Sequence, residues 1–164
     1  MKQLLLIRHA KSSWDDLSGS DFDRQLSGRG LRDAPIMGRR LAERGLFPDA
    51  FLISSAQRTR TTAKLLAGEL NFPEADIDQR DALYLASPAT MLQLIRQTPE
   101  YVQRLALVAH NPGITELTNQ LANTDINNIP TCGVALLDLG IDSWRDAGRD
   151  ARLVDFDYPK RQQL

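Results

Sequence analysis

The chain has 164 residues and a formal net charge of -1, and 42% of its residues are hydrophobic and 25% charged. This composition is typical of globular proteins. Folded as one domain over residues 1–164, such a chain would bury roughly 70% of its unfolded surface without disulfides or metals. Its 20 basic and 21 acidic residues nearly balance. A nucleic acid is therefore not an expected partner, and any bound anion must be held in a local pocket.

Neither a membrane span nor a targeting segment is predicted. The longest apolar runs, residues 4–7 and 105–109, are far shorter than the roughly 20 residues that cross a membrane. The first run is interrupted by Arg8 and is also too short for the apolar core of a signal peptide, so we expect a cytoplasmic location. One cysteine, Cys132, and two histidines offer no metal-ligand spacing. Neither a disulfide nor a metal or other cofactor is therefore expected.

Strand and helix patterns alternate through the first half of the chain. Residues 3–7 form an apolar run typical of a buried strand. Ser27 can cap a following helix, and Pro35 either kinks that helix or marks its start. A second strand is predicted at residues 50–53, and a second helix over about 58–70. The apolar positions of these two helices are Leu31, Ala34, Met37 and Leu41, and then Ala63, Leu66 and Leu70.

The alternation continues through the second half of the chain. A weaker strand pattern lies near Ile77, and Ser87 followed by Pro88 is typical of the cap and first residue of a third helix. Residues 105–109 predict another buried strand, and Pro112 opens a fourth helix. The inward-facing positions of these two helices are Met91, Leu92 and Ile95, and then Ile114, Leu117 and Leu121.

Two late strand patterns follow, at residues 134–139 and 152–156. The polar loop between them, residues 140–150, has no strong helical stripe, which favours antiparallel pairing of these two strands. Elsewhere strands alternate with helices. That pattern predicts an α/β three-layer sandwich around a mostly parallel sheet of about six strands.

Charged and imidazole side chains follow three of the predicted strands. Arg8 and His9 come directly after the first strand, and His110 comes directly after the strand at residues 105–109. Arg58 lies shortly after the second strand. The carboxyl ends of parallel strands meet at one edge of a sheet, where helix N-termini favour anions. Because arginine forks bind phosphoryl oxygens and neutral imidazole is a nucleophile, the sequence predicts phosphoryl transfer at this edge.

Each of these residues, taken alone, also has a structural interpretation. A histidine after a strand is often a hydrogen-bonded structural residue, and Arg8 alone could be a surface charge. Arg58 in a first helical turn lies beside the positive end of the helix dipole, which is unfavourable without an anion. The convergence of three separate segments on one edge favours the catalytic interpretation.

Three motifs resemble those of the histidine phosphatase superfamily, and a fourth segment is similar to the SixA-type phosphohistidine phosphatases. The three motifs are LLIRHA at residues 5–10, SSAQR at 54–58 with TTA at 61–63, and LVAHNPG at 107–113; the fourth segment is DFDRQLSGRG at 21–30. The resemblance extends from residue 1 to about residue 144. It implies the phosphoglycerate-mutase-like fold of that superfamily and a metal-independent phosphatase activity.

The resemblance also implies a covalent mechanism. His9 attacks phosphorus and becomes transiently phosphorylated, and water then hydrolyses the intermediate. Arg8, Arg58 and His110 would surround the equatorial oxygens of the phosphoryl group. His9 must be neutral to attack, with its other ring nitrogen donating to a backbone carbonyl, whereas His110 is expected to be a cation.

Three further residues are candidates for binding or proton transfer. Ser12, just past the nucleophile, and Arg24, in the next loop, could bind the phosphoryl group, although Ser12 alternatively only shapes a turn. Larger relatives place a proton-donating carboxylate between the second arginine and the second histidine. Asp81 is the nearest candidate here, the alternative being a surface carboxylate paired with Arg80 or another base. Because an imidazole leaving group needs less help from an acid than an alkoxide does, a phosphohistidine substrate is favoured.

Two classes of function remain open. The first is an enzyme that acts on a phosphorylated protein carrying phosphohistidine, or on a small phosphorylated substrate as a phosphomonoesterase. The second is a non-catalytic module that binds phosphorylated proteins. The presence of His9 favours the enzyme, because a binding module does not need a nucleophile. Both classes predict a phosphate or sulfate ion bound beside His9.

Overall fold

The computed structural model describes residues 1–15 and 19–161 and shows an α/β fold. The strands are β1 Gln3–Arg8, β2 Ala50–Ser54, β3 Asp78–Arg80, β4 Arg104–Ala109, β5 Val134–Asp138 and β6 Arg152–Asp157. The helices are α1 Gly28–Glu43, α2 Gln57–Glu69, α3 Pro88–Arg96 and α4 Gly113–Ala122, with short 3₁₀ turns at Glu74–Asp76, Asp81–Leu83 and Trp144–Asp146. Within the described ranges, every helix is too short or too polar to cross a membrane.

The six strands of the described residues form one sheet in the order β3-β2-β4-β1-β5-β6. β1 pairs in parallel with β4, β4 with β2, and β2 with β3, whereas β5 is antiparallel to both β1 and β6. The mostly parallel sheet and the antiparallel pairing of the last two strands are therefore confirmed. The connection between β5 and β6 holds only a short 3₁₀ turn, because antiparallel neighbours need no crossover helix.

Helices cover both faces of this sheet. Along β1, Leu4 and Leu6 belong to one core together with the apolar faces of α3 and α4, while Leu5 and Ile7 belong to a second core with α1 and α2. Successive side chains of a strand point to opposite faces, so a strand that is buried on both faces is apolar at every position. This arrangement confirms the three-layer sandwich and explains the unbroken apolar run in β1.

Helix α1 starts at its predicted cap, and Pro35 lies inside the helix rather than at its start. The Ser27 hydroxyl accepts a hydrogen bond from the backbone N–H of Gly30 at 3.2 Å. Of the four apolar positions named for this helix, Leu31 lies outside the buried face, because it is 49% exposed and the buried residues begin at Gly30. A Cβ on Gly30 would lie 2.2 Å from the carbonyl oxygen of Lys11. The helix therefore packs closely against the segment after β1, and this orientation turns Leu31 outward.

The other predicted elements agree with the structure to within a few residues. Helix α2 covers Gln57–Glu69, and α3 begins at Pro88, where the Ser87 hydroxyl accepts a hydrogen bond from the N–H of Thr90 at 3.2 Å. The weak pattern near Ile77 corresponds to β3, an edge strand of 3 residues that are all exposed. Polar, charged residues protect such an edge from pairing with other chains, and they leave no apolar pattern in the sequence.

Candidate active site

The carboxyl ends of β1, β4 and β2 lie side by side in the middle of the sheet. Arg8 is the last residue of β1 and His9 follows it, while His110 directly follows β4. Arg58 reaches the same place from the first turn of α2. These side chains line one cleft of about 320 Å³, and the rings of His9 and His110 lie 5.3 Å apart between centroids. The structure thus brings together the four residues at which phosphoryl binding is predicted.

His9 is buried and held in one tautomer. Its Nδ1 lies 2.7 Å from the carbonyl oxygen of Ala10. Because a carbonyl oxygen only accepts hydrogen bonds, Nδ1 carries the proton and Nε2 keeps its lone pair. The pKa of His9 is lowered to about 3, mainly by burial and to a smaller extent by His110, Arg58 and Arg8, while the bond to Ala10 opposes the shift. The expected neutral imidazole with a backbone acceptor is confirmed.

The loop after His9 is tied to helix α2 by a buried threonine. The backbone N–H of Ala10 donates to Oγ1 of Thr62 at 2.9 Å, and the Thr62 hydroxyl donates to the carbonyl oxygen of Arg58 at 2.7 Å. Thr62 is fully buried. One side chain therefore fixes the nucleophile's loop relative to the helix that carries Arg58.

His110 contacts a hydroxyl rather than a carboxylate. Its Nε2 lies 2.7 Å from Oγ of Ser54, and its Nδ1 is buried without a hydrogen-bond partner among the described residues. The pKa of His110 is lowered to about 4, first by burial and then by the positive charge of Arg58. The expectation that His110 is a cation is therefore wrong for the ligand-free site. When the Ser54 hydroxyl donates to Nε2, neutral His110 carries its proton on Nδ1, from which it can still donate to a phosphoryl oxygen.

The arginines of the cleft have buried donors without partners. The Nε atoms of Arg8, Arg24 and Arg58 are buried and have no hydrogen-bond partner within the described part of the chain. Arg58 donates from Nη1 to the carbonyl oxygen of Asp21 at 2.6 Å and from Nη2 to its carboxylate at 3.0 Å. Arg8 donates from Nη1 to the carbonyl oxygen of Ile129 at 2.9 Å. A buried, unpaired charged donor costs free energy, and the three guanidinium groups give the cleft a positive charge that suits an anion.

Asp21 and Tyr84 contact this site, and sequence reasoning gave neither of them a role. The Tyr84 hydroxyl donates to Oδ2 of Asp21 at 2.5 Å, and its ring packs edge-on against His110 with the centroids 5.6 Å apart. The pKa of Asp21 is lowered, first by the hydrogen bond from Tyr84 and also by Arg58, although partial burial opposes the shift. The Asp21 carboxylate is therefore ionised. Asp21 opens the segment that is similar to SixA-type phosphatases, which is the one sequence feature that could have identified it.

Ser12 and Arg24, the further substrate-binding candidates, both line the cleft. Arg24 donates from Nη1 to Oγ of Ser12 at 2.6 Å, and its guanidinium stacks on the ring of Trp14 with 3.8 Å between Cζ and the ring centroid. Such a cation–π contact is worth about 0.5–1 kcal/mol at an exposed site. The Ser12 hydroxyl accepts the bond from Arg24 and keeps its own proton for donation to a ligand.

The structure does not bring Asp81 to the cleft. Asp81 is exposed at the start of a 3₁₀ turn and is not among the described residues that line the cleft. Arg80 forms its ion pair with Asp78, at 2.8 Å, and not with Asp81. The turn that Asp81 begins leads instead to Tyr84, whose N–H donates to the Asp81 carbonyl oxygen at 3.0 Å.

The polar groups of the cleft suit an anion better than a metal ion. Within residues 1–15 and 19–161, no group of three or more His, Cys, Asp or Glu side chains is arranged to hold a metal. The side chains that line the cleft are instead mostly cationic or neutral donors. Guanidinium, imidazole and hydroxyl donors together match the oxygens of a phosphoryl group.

The chain resembles proteins of one family in both sequence and structure. The family model of the histidine phosphatase superfamily (branch 1) matches residues 4–84. An uncharacterized chloroplastic protein of Arabidopsis thaliana is 33% identical over 159 residues, which cover 89% of this chain and 70% of the relative.

Among solved structures, a candidate phosphohistidine phosphatase SixA from Agrobacterium tumefaciens is 33% identical, with a TM-score of 0.83 over 96% of this chain and 98% of that chain. The protein histidine phosphatase SixA complexed with tungstate is 19% identical, with a TM-score of 0.81 over 96% of this chain and 97% of that one, and shows the same fold. The chain belongs to the histidine phosphatase superfamily.

Proposed function

We propose that this phosphatase hydrolyses phosphohistidine on protein substrates, without a metal ion, through a phosphohistidine intermediate on His9. The observation that carries the proposal is the buried, neutral imidazole of His9, whose Nε2 lone pair is available in a cleft lined by three arginines. A neutral imidazole is a nucleophile, and the guanidinium groups offer preorganised donors to a transferred phosphoryl group.

In the first step, Nε2 of His9 forms a bond to phosphorus while the bond between phosphorus and the substrate imidazole breaks. The hydrogen bond from Nδ1 to the Ala10 carbonyl oxygen stabilises the positive charge that develops on the His9 ring. The unpaired Nε atoms of Arg8 and Arg58 and Nδ1 of His110 are donors for the equatorial oxygens. Charge is spread over those oxygens in a metaphosphate-like transition state, so these donors accelerate the transfer. Water then hydrolyses the intermediate.

Leaving-group chemistry supports phosphohistidine over an alkyl phosphate. An imidazole departs readily, whereas an alkoxide needs a proton from a general acid. The carboxylate at the cleft is Asp21, which the hydrogen bond from Tyr84 keeps ionised by lowering its pKa. Asp81, the acid suggested by the sequence, lies outside the cleft. Neither carboxyl group is suited to protonate an alkoxide.

The rim of the cleft supports a substrate carried on a protein. Trp14 and Leu85 both line the cleft, and their side chains are 65% and 58% exposed. Leu85 has a φ of 51°, an uncommon backbone conformation for a bulky residue. This exposed apolar surface beside the cleft is available for contact with a protein that carries the phosphoryl group. The relatives called SixA phosphohistidine phosphatase support the same substrate class, and the tungstate complex supports an oxyanion such as phosphate or sulfate in this cleft.

The test is a comparison of initial rates on a phosphohistidine peptide, an aryl phosphate and a sugar phosphate. We expect the phosphohistidine peptide and the aryl phosphate to be hydrolysed at least about 10²-fold faster than the sugar phosphate, because only the sugar leaving group needs an acid. Faster hydrolysis of the sugar phosphate would identify a small-molecule phosphomonoesterase instead. Tight phosphate binding without turnover of any substrate would identify a non-catalytic binding module.

A further inference from the structure

Asp21 is the one carboxylate among the described residues that line the cleft. Its side chain is 44% exposed, whereas His9 is only 6% exposed. The carboxylate therefore lies toward the open side of the cleft. Solvent therefore reaches this carboxylate.

Three donors hold the Asp21 carboxylate in place. Oδ2 accepts hydrogen bonds from the Tyr84 hydroxyl at 2.5 Å and from Nη2 of Arg58 at 3.0 Å. Oδ1 has a longer contact, 3.3 Å from Nη2 of Arg24, so it keeps a lone pair for a water molecule. The Tyr84 and Arg58 hydrogen bonds also keep the pKa of Asp21 below its usual range, so the group is ionised. A carboxyl group accepts a proton only in this ionised form.

We propose that Asp21 is the general base that activates water for hydrolysis of the phosphohistidine intermediate on His9. The step rests on the proposed function, because it requires that covalent intermediate. The water oxygen forms a bond to phosphorus, the bond between phosphorus and Nε2 of His9 breaks, and its electron pair returns to Nε2. The proton of the water passes to Oδ1 of Asp21 and then to solvent, and inorganic phosphate leaves.

A purely positioning role for Asp21, in which it only holds Arg58, makes a different prediction. A displaced Arg58 would weaken the hydrogen bonds that stabilise the transferred phosphoryl group, and it would do so in both half-reactions because both transfer the same group. Loss of a general base slows only the half-reaction in which water is deprotonated. Separate rates for formation and decay of the phosphoenzyme therefore distinguish the two roles.

The test uses Asp21→Asn, with Asp23→Asn as its matched control. Asp23 is exposed, accepts a hydrogen bond from Ser20 at 2.9 Å and does not line the cleft among the described residues. Double-mixing quench-flow with phosphoramidate as the donor gives the two rates, and an alkaline quench preserves the acid-labile phosphohistidine. We expect Asp21→Asn to be phosphorylated at close to the wild-type rate and to lose the phosphoryl group about 10²-fold more slowly. Asp23→Asn should match the wild type in both steps.

A second variant, Asp21→Ala, tests for a missing base directly. Added formate should restore decay of its phosphoenzyme, since a small carboxylate replaces a base but does not reposition Arg58. Equal slowing of both steps, unchanged decay in Asp21→Asn, or no effect of formate would overturn the assignment. Absence of any phosphoenzyme in the wild-type protein would refute the proposed function itself. Normal formation and unaltered decay of the phosphoenzyme in Asp21→Asn would refute only the role of Asp21.

Discussion

Replacing Ser54 by alanine tests whether one buried hydroxyl sets the protonation and orientation of His110. Ser54 is fully buried at the end of β2, and its Oγ lies 2.7 Å from Nε2 of His110 and accepts a longer bond from the N–H of Ala56 at 3.3 Å. Alanine would leave Nε2 buried without a partner, at a cost of about 1–3 kcal/mol. The ring can then take the other tautomer or rotate, and in either case Nδ1 no longer presents its proton to the phosphoryl group.

A ring that rearranges to give Nε2 a partner regains up to about 1–3 kcal/mol, and that free energy is lost again when Nδ1 is presented to the phosphoryl group. The same amount therefore enters the barrier and sets the size of the expected kinetic effect. Because each 1.36 kcal/mol in the barrier is a tenfold change in rate, Ser54→Ala should lower kcat by about 5- to 150-fold. KM should change by less than about threefold, since the lost interaction strengthens in the transition state. The loss should not exceed that of His110→Ala, which removes the whole donor and is expected to cost about 10²- to 10³-fold.

The assay is steady-state hydrolysis of an aryl phosphate by Ser54→Ala and by Ser55→Ala. Ser55 is the adjacent residue, is only 2% exposed, and its hydroxyl has no hydrogen-bond partner within the described part of the chain. The control therefore deletes a buried hydroxyl without breaking a hydrogen bond. If kcat is unchanged in Ser54→Ala, or falls equally in both variants, the role assigned to Ser54 is refuted.

Four further predictions concern the nucleophile, Asp81, a pair of helix glycines and the pH dependence of stability. His9→Ala should abolish turnover and leave no acid-labile phosphate on the protein, and appreciable turnover would exclude the covalent mechanism. Asp81→Asn should leave the rates on all three substrate classes unchanged because Asp81 lies outside the cleft; a selective loss of about 10²-fold or more on a sugar phosphate would restore its role as general acid. Gly30→Ala should lower the free energy of unfolding by about 1–3 kcal/mol, since its Cβ would lie 2.2 Å from a backbone carbonyl oxygen. Gly68→Ala, in open space on α2, should instead raise it by about 0.5–1 kcal/mol in denaturant titrations. Finally, the folded-state pKa values of about 3 for His9 and about 4 for His110 lie below the ordinary value of 6.5. The unfolded chain therefore binds more protons, so urea titrations should show stability falling as pH drops from about 6.5 toward 4, less steeply in His9→Ala.

The strands and the residues at their ends were predictable because they depend on short-range sequence pattern. Apolar runs identify β1 and β4, and parallel strands share an edge, so a common location for His9 and His110 follows from the sequence. The ionisation of His110 did not follow, because it depends on how deeply the ring is buried and on the nearby charge of Arg58. The apolar positions of α1 include the exposed Leu31 and omit the buried Gly30, because glycine has no side chain to indicate burial.

Contacts made by loops were less accessible to prediction than those made by strand ends. Asp21 and Tyr84 are 63 residues apart in sequence and meet through a single hydrogen bond at the open side of the cleft. No periodicity in the sequence indicates that these two loops meet, because the conformation of each loop depends on how it packs against the folded sheet. Asp81 was expected at the cleft and lies outside it for the same reason. The turn that begins at Asp81 brings Tyr84, and not Asp81, into contact with Asp21 and His110.

The guanidinium group of Arg58 connects the buried part of the cleft with Asp21 at its open side. Arg58 donates both of its Nη atoms to Asp21 and leaves its buried Nε without a partner among the described residues. A phosphoryl group that takes this Nε would therefore bind without displacing Asp21, and the charge of Arg58 would be shared between two anions. The same contact holds the carboxylate at the cleft and, after the hydrogen bond from Tyr84, helps to keep the pKa of Asp21 below its usual range. Loss of Arg58 should consequently impair both half-reactions, whereas loss of Asp21 should impair only the attack of water.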